Sequence, residues 1–183
     1  DIVSYIRGMV VIAIISSINS QADKIVTSSF FSLKIFGYYT IASTLAQIPL
    51  LVATPLATSV FPLFSTFFSK NDNRNMAFCY NKASFLLHII VFPVGAILLL
   101  YPAEILGLWT KHAVEIKYAH DLESVIRFLV IGSIFLAMQL LPFYLLLSQG
   151  KTKYNVFQGV VQFLVGLPLL YFFVKKIGFV GAG

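Results

Sequence analysis

The 183-residue chain is 58% hydrophobic, only 11% charged, and carries a formal net charge of +6. A soluble domain holds about 25% charged residues, so this composition excludes the ordinary globular class, and the roughly ten-residue alternating segments of a membrane β-barrel are also missing. Long apolar windows between short polar clusters predict an all-α, polytopic transmembrane helix bundle of about five spans, read as a single transmembrane domain over 1–183.

The first predicted span covers about residues 9–31 and holds a markedly polar stretch, NSQADKIVTSS, from Asn19 to Ser29. Ser16, Asn19, Ser20, Asp23 and Thr27 recur at three- and four-residue steps and share one helix face. Ser17, Gln21, Lys24 and Ser28 line the adjoining strip, while Ile18, Ala22, Ile25 and Val26 form an apolar side. An isolated charge at mid-bilayer costs about 2.5–3.5 kcal/mol, so Asp23 and Lys24 need a compensating environment. They cannot simply pair with each other, because neighbouring residues on a helix diverge. Lys24 could snorkel to a nearby membrane surface, but a polar strip three turns long favours a water-filled cavity or substrate path. Arg7, the apolar run Met9–Ile15 and Ser20-Gln21-Ala22 loosely imitate a signal peptide. The apolar stretch continues past that site, which argues against cleavage.

After a tight turn at Ser32-Leu33-Lys34, the second span runs from about 36 to 68. At 1.5 Å per residue this is ~50 Å of helix against a ~30 Å hydrocarbon core, and Pro49, Pro55 and Pro62 predict that it kinks. Thr40, Thr44, Gln47, Thr54 and Thr58 follow one face. Threonine hydroxyls can bond their own backbone, so Gln47 is the stronger cavity candidate.

The polar linker Ser69–Asn75 leads to a third span over about 81–100, where His88 reads as an interior histidine rather than a proton relay. Tyr101–Glu123 is the longest polar connection, with Tyr101 and Trp109 as interfacial anchors and His112 and His120 solvated. The fourth span covers about 124–147 with Gln139 as an interhelical hydrogen bonder, and Ser148–Lys153 forms a basic turn. The fifth covers about 155–174, adding Asn155, Gln158 and Gln162, with Gly159 and Gly166 for close helix approach. The pairs Phe30-Phe31, Tyr38-Tyr39 and Phe67-Phe68 suit the headgroup levels, and Pro93, Pro142 and Pro168 place a kink in each later span.

Positive charge ties between the two membrane sides, six against six, so the positive-inside rule does not orient the chain. No acylation, phosphate-loop or metalloprotease signature is present, and Glu104, Glu115, Asp121 and Glu123 are scattered without a basic or nucleophilic partner. The reading is therefore not an enzyme, with no cofactor and no metal. Cys79 is the sole cysteine and reads as a packed residue, and no basic run or aromatic pattern supports nucleic-acid binding. The chain opens on Asp1 and stops at Val180-Gly181-Ala182-Gly183, which reads as an internal piece of a longer protein.

Gln21-Ala22-Asp23-Lys24-Ile25-Val26, then Phe36-Gly37-Tyr38-Tyr39-Thr40-Ile41-Ala42, resembles the "n-x-x-D-x-x-x-l … l-G-x-Y-x-x-A" pattern of polysaccharide transporters. Val60-Phe61-Pro62-Leu63-Phe64-Ser65 is similar to that family's "P-x-x-S". Leu147-Ser148-Gln149-Gly150-Lys151-Thr152 with Ile177-Gly178-Phe179-Val180-Gly181-Ala182 is similar to its "l-x-x-G-k-t … G-x-x-G-A" element. The resemblance is to the Wzx-type O-antigen flippases of the multidrug/oligosaccharidyl-lipid/polysaccharide exporter superfamily, and it spans nearly the whole chain. It implies part of the second lobe of a two-lobed transporter, about helices seven to eleven, with Ser69–Asn75 and Ser148–Lys153 in the cytoplasm. It further implies a flippase moving a polyprenyl-pyrophosphate-linked oligosaccharide across the bacterial inner membrane by alternating access. Lys24 and Arg7 would then meet the pyrophosphate, Asn19, Gln21, Gln47 and Gln162 would hydrogen-bond sugar hydroxyls, and Asp23 would hold Lys24 charged or carry a coupling proton. Its partners would be the lipid-linked oligosaccharide, the bilayer, and glycan polymerase or ligase enzymes. Besides a non-transporting structural helper with a packed polar core, two rivals remain. One is a Na⁺- or H⁺-coupled drug exporter of the MATE branch. The other is a membrane glycan polymerase or ligase, which the arginine-free Tyr101–Glu123 loop argues against.

Overall fold

The computed structural model describes residues 2–110 and 116–177, with side chains over 6–110 and 120–176. Asp1, Lys111, His112, Glu115, the side chain of Lys117, and residues 178–183 with the whole G-x-x-G-A element lie outside them. Seven helices fill the described residues: α1 Ile2–Phe30, α2 Leu33–Ala46, α3 Ile48–Ser69, α4 Asn73–Leu100, α5 Pro102–Thr110, α6 Ile116–Ser148 and α7 Thr152–Ile177. Five stretches among them are long and apolar enough to cross a membrane: 6–30, 48–69, 73–100, 120–148 and 152–176.

The expected helix over 36–68 is two helices, parted at Gln47. Pro49 sits in the first turn of α3, where its missing N–H costs nothing. Pro55 and Pro62 leave α3 unbroken. Helical bonds persist across the junction, Gln47 N–H to Ser43 O at 3.2 Å and Leu51 N–H to Gln47 O at 3.0 Å, so the path bends rather than ends. At 14 residues, α2 is ~21 Å long and too short to span alone. It packs instead along the first part of α6, whose 33 residues extend ~50 Å. The region expected as a polar connection after Tyr101 is also largely helical, as α5 and the start of α6.

The turns α3–α4 and α6–α7 close the same end of the bundle by the same device. Asn71 (φ 53°) and Gly150 (φ 71°) take left-handed conformations just past the helix ends, where asparagine and glycine are tolerated. Asp72 N–H then reaches Phe67 O at 2.9 Å and Asn71 N–H reaches Phe68 O at 3.1 Å. Lys151 N–H and Gly150 N–H bond Leu146 O and Leu147 O in the same pattern, each at 3.0 Å. Paired bonds of this kind satisfy the terminal carbonyls of a helix. Asp72 also starts α4, its carboxylate accepting from Asn75 N–H at 3.1 Å and from the Asn75 amide at 2.7 Å. Those bonds favour the ionised form and hold the Asp72 carboxyl below the usual aspartate range. A depressed native pKa gives stability that is present above the unfolded value and lost as pH falls through the native one. The melting-temperature gap between the wild type and Asp72→Ala is therefore expected at neutral pH and should shrink below about pH 4. A gap that stays constant down to pH 2 would contradict this role.

Two apolar clusters hold the bundle. One joins Tyr39, Ala42, Leu45 and Ala46 of α2 to Leu122, Val125, Ile126 and Val130 of α6. The other packs Ala53, Ala57 and Phe64 of α3 against Ala83, Leu87 and Val91 of α4 and Ala137 and Leu141 of α6. Alanines four residues apart on α3 let three backbones converge. Outside this unit, α1 packs chiefly on α7 and only lightly on α2, while α7 touches α6 weakly. The α1–α7 contacts step forward together along both chains, Gly8 with Thr152, Ile15 with Gly159 and Phe30 with Tyr171, so the two helices run parallel.

Candidate functional site

Because the α1–α7 pair stands partly off the α3–α4–α6 unit, a cavity of about 350 Å³ opens between them. Its polar lining comes from Ser16, Asn19 and Ser20 on α1, Gln139 on α6, and Asn155, Gln158 and Gln162 on α7. Ile12, Ile15, Leu50 and Leu136 supply apolar wall. The periodicity explains this: residues 12, 15, 16, 19 and 20 share one stripe of α1, and residues 155, 158, 159 and 162 share one stripe of α7.

Most hydroxyls near the cavity are already satisfied by their own helices. Ser20 bonds Ser17 O, Thr27 bonds Asp23 O at 2.6 Å, and Ser28 and Ser29 both bond Ile25 O. Thr40, Thr44 and Thr54 return to carbonyls four residues back, and Thr58 reaches both Thr54 O and Pro55 O. The amides differ. Asn19 Nδ2 donates across to Gly159 O at 3.2 Å, fastening α1 to α7. Asn155 Nδ2 donates to Phe143 O at 3.2 Å, while its buried Oδ1 has no partner among the described residues. A buried acceptor left unpaired costs about 1–3 kcal/mol. Gln139, expected as an interhelical hydrogen bonder, lies on the cavity wall instead.

Asp23 continues the cavity stripe one turn beyond Asn19 and is engaged by α2: the Tyr39 hydroxyl donates to its Oδ2 at 2.9 Å. Tyr39 is fully buried, so its ring faces protein, while Tyr38 is half-buried. Sequence reasoning missed Tyr39 as the partner of Asp23 because sixteen residues and a turn separate them. Lys24, one turn past Ser20, is half-buried, and no carboxylate of the described residues pairs with it. Gln47 is exposed at the α2–α3 bend, one turn before Leu50 on the same side. Gln21 and Arg7 are exposed on the side of α1 turned away from the cavity. The structure thus brings together Asn19 and Gln162, leaves Asp23 one turn beyond the cavity lining and Lys24 on the adjoining strip, and sets Gln21 and Arg7 on the far side of α1. His88 is half-buried and stacks on Phe92, with ring centroids 5.5 Å apart. No group of three or more metal-ligating side chains occurs among the described residues.

The profile of a family described as "Polysaccharide biosynthesis protein" matches residues 1–110. The chain is also 27% identical over 175 residues to a Shigella flexneri protein named "Putative O-antigen transporter". That alignment takes in 95% of this chain and 40% of the relative, so the chain spans well under half of the relative's length. No solved structure matches the chain.

Proposed function

The chain belongs to the polysaccharide biosynthesis protein family, and from that premise we propose that the full protein is a flippase. Its cargo is a polyprenyl-pyrophosphate-linked oligosaccharide, an O-antigen or capsule repeat unit, carried across the bacterial inner membrane by alternating access. The observation that carries this reading is the cavity whose polar lining is chiefly amide, with Asn19, Gln139, Asn155, Gln158 and Gln162 beside two serines. Amides both donate and accept, which suits sugar hydroxyls and gives a drug-like cation little to hold. A volume of about 350 Å³ is at the small end for ligand sites, so the recess takes one sugar-sized group rather than a whole repeat.

In this scheme Gln162 and Gln47 meet sugar hydroxyls, and Asn19 does so while holding α7. Lys24 meets the pyrophosphate. Gln21, Ser17 and Ser28 continue an exposed polar strip past Lys24, which is costly against hydrocarbon and supports a second polar surface where cargo passes. Arg7 serves the anionic end of the cargo from the same outer side. Asp23 carries the coupling charge, and its bond to Tyr39 links that charge to the position of α2.

The test is made in cells. Deleting the gene should abolish surface glycan and accumulate the lipid-linked repeat in the cytoplasmic leaflet; unchanged surface glycan would overturn the reading. Restoring the gene as Gln162→Leu should transport about three- to tenfold more slowly than wild type, the worth of one hydrogen bond, with the folded protein present at normal level.

A further inference from the structure

A second recess has no place in that scheme. Between α3 and α4, near the end closed by the Lys70–Asp72 turn, runs a groove of about 530 Å³. Its walls are Leu56, Val60 and Leu63 on one helix and Phe78 and Leu86 on the other. None of its lining residues belongs to the amide-lined cavity, and on α3 it opens from a different face than Leu50. Phe78 is 62% exposed and Leu63 49%, so hydrocarbon surface lies open along the groove.

Three polar residues line it, Ser59, Asn75 and Lys82. Ser59 is spent on Leu56 O at 2.8 Å, and the Asn75 amide is bound by Asp72. Lys82 remains. Its Nζ lies 5.6 Å from the centroid of the Phe78 ring, held over the groove mouth by a cation–π contact. No carboxylate of the described residues pairs with it. Lys82 is nine residues into α4, ~13 Å from the start of the helix, a depth from which a lysine reaches the headgroup level. Arg74 stands two turns nearer the end on the same side of α4, and Lys70 adds charge in the turn.

We propose that this groove binds an anionic phospholipid of the surrounding leaflet, with its phosphate on Lys82 and an acyl chain along Leu63 and Leu86. Charge complementarity selects the occupant. A single unpaired ammonium at headgroup depth above an open apolar channel matches one phosphodiester above its chain, and basic pockets between membrane helices bind anionic headgroups in this way. The inference does not depend on the transport reading.

Native mass spectrometry of the full-length protein in detergent, with equimolar phosphatidylglycerol and phosphatidylcholine, tests it. The wild type should retain phosphatidylglycerol preferentially. Lys82→Ala should lower that retention about fivefold, from about 1 kcal/mol per cation at the headgroup level, and Lys82→Arg should preserve it. Lys82→Gln reports the same loss if Lys82→Ala does not fold. Equal retention of the two lipids by the wild type, or undiminished phosphatidylglycerol on Lys82→Ala and Lys82→Gln, would overturn the proposal. So would displacement of phosphatidylglycerol by an equimolar polyprenyl phosphate, which would assign the groove to the carrier of the cargo.

Discussion

Lys24→Ala is expected to lower surface glycan at least tenfold while leaving the protein folded. A half-buried ammonium with no carboxylate partner among the described residues contributes nothing favourable to an isolated membrane helix, and at mid-bilayer it costs about 2.5–3.5 kcal/mol. Removing it should therefore leave the melting temperature unchanged or raise it. Transport should move the other way. A charge-assisted hydrogen bond is worth about 1.5–3 kcal/mol, or roughly ten- to a hundredfold when the pyrophosphate loses it. Lys24→Arg keeps the charge and should keep a large part of the activity. The opposing directions matter, because a merely structural lysine would lose both quantities together. Surface glycan at wild-type level in Lys24→Ala would remove Lys24 from the cargo path.

The sequence showed the helical class and the five long apolar stretches because span length is written in composition, and the polar stripe on α1 because a helix repeats every 3.6 residues. It could not show which polar side chains remain available. Thr40, Thr44, Thr54 and Thr58 form as regular a stripe as the amides do, yet each hydroxyl closes on its own helix. Asn155 and Gln158 were visible as residues on a fifth span, but that α7 runs parallel to α1 and meets it at Gly8 and Gly159 depends on long-range packing. The Asp23–Tyr39 bond was hidden for the same reason. Three prolines offered three places to kink, and the helix parts only beside Pro49, at Gln47, while α3 runs on through Pro55 and Pro62.

The cavity exists because α1 and α7 are held together more firmly than either is held to the rest, so substitutions in their seam should act strongly and in a pattern set by which atom blocks the way. A methyl group at Gly159 would come 2.9 Å from Ile15 Cγ2 but 3.8 Å from Ile15 Cβ, so the branch methyl of the isoleucine is in conflict and its Cβ is not. At Gly8 the added carbon would lie 2.5 Å from Thr152 Oγ1 and 2.8 Å from Thr152 Cβ, so the conflict reaches the root of the side chain. Each alanine should cost about 1–3 kcal/mol by overpacking. Gly159→Ala should also strain the Asn19 bond to Gly159 O and so depress transport. The second substitutions separate the two sites. Ile15→Ala should recover most of the stability lost in Gly159→Ala, whereas Thr152→Ala, which keeps its Cβ, should recover little of that lost in Gly8→Ala; Thr152→Gly is needed there. Thermal unfolding of the single and double variants in detergent measures all of these. Equal rescue by Ile15→Ala and Thr152→Ala, or no loss in either single glycine variant, would show that the seam is not packed in this register.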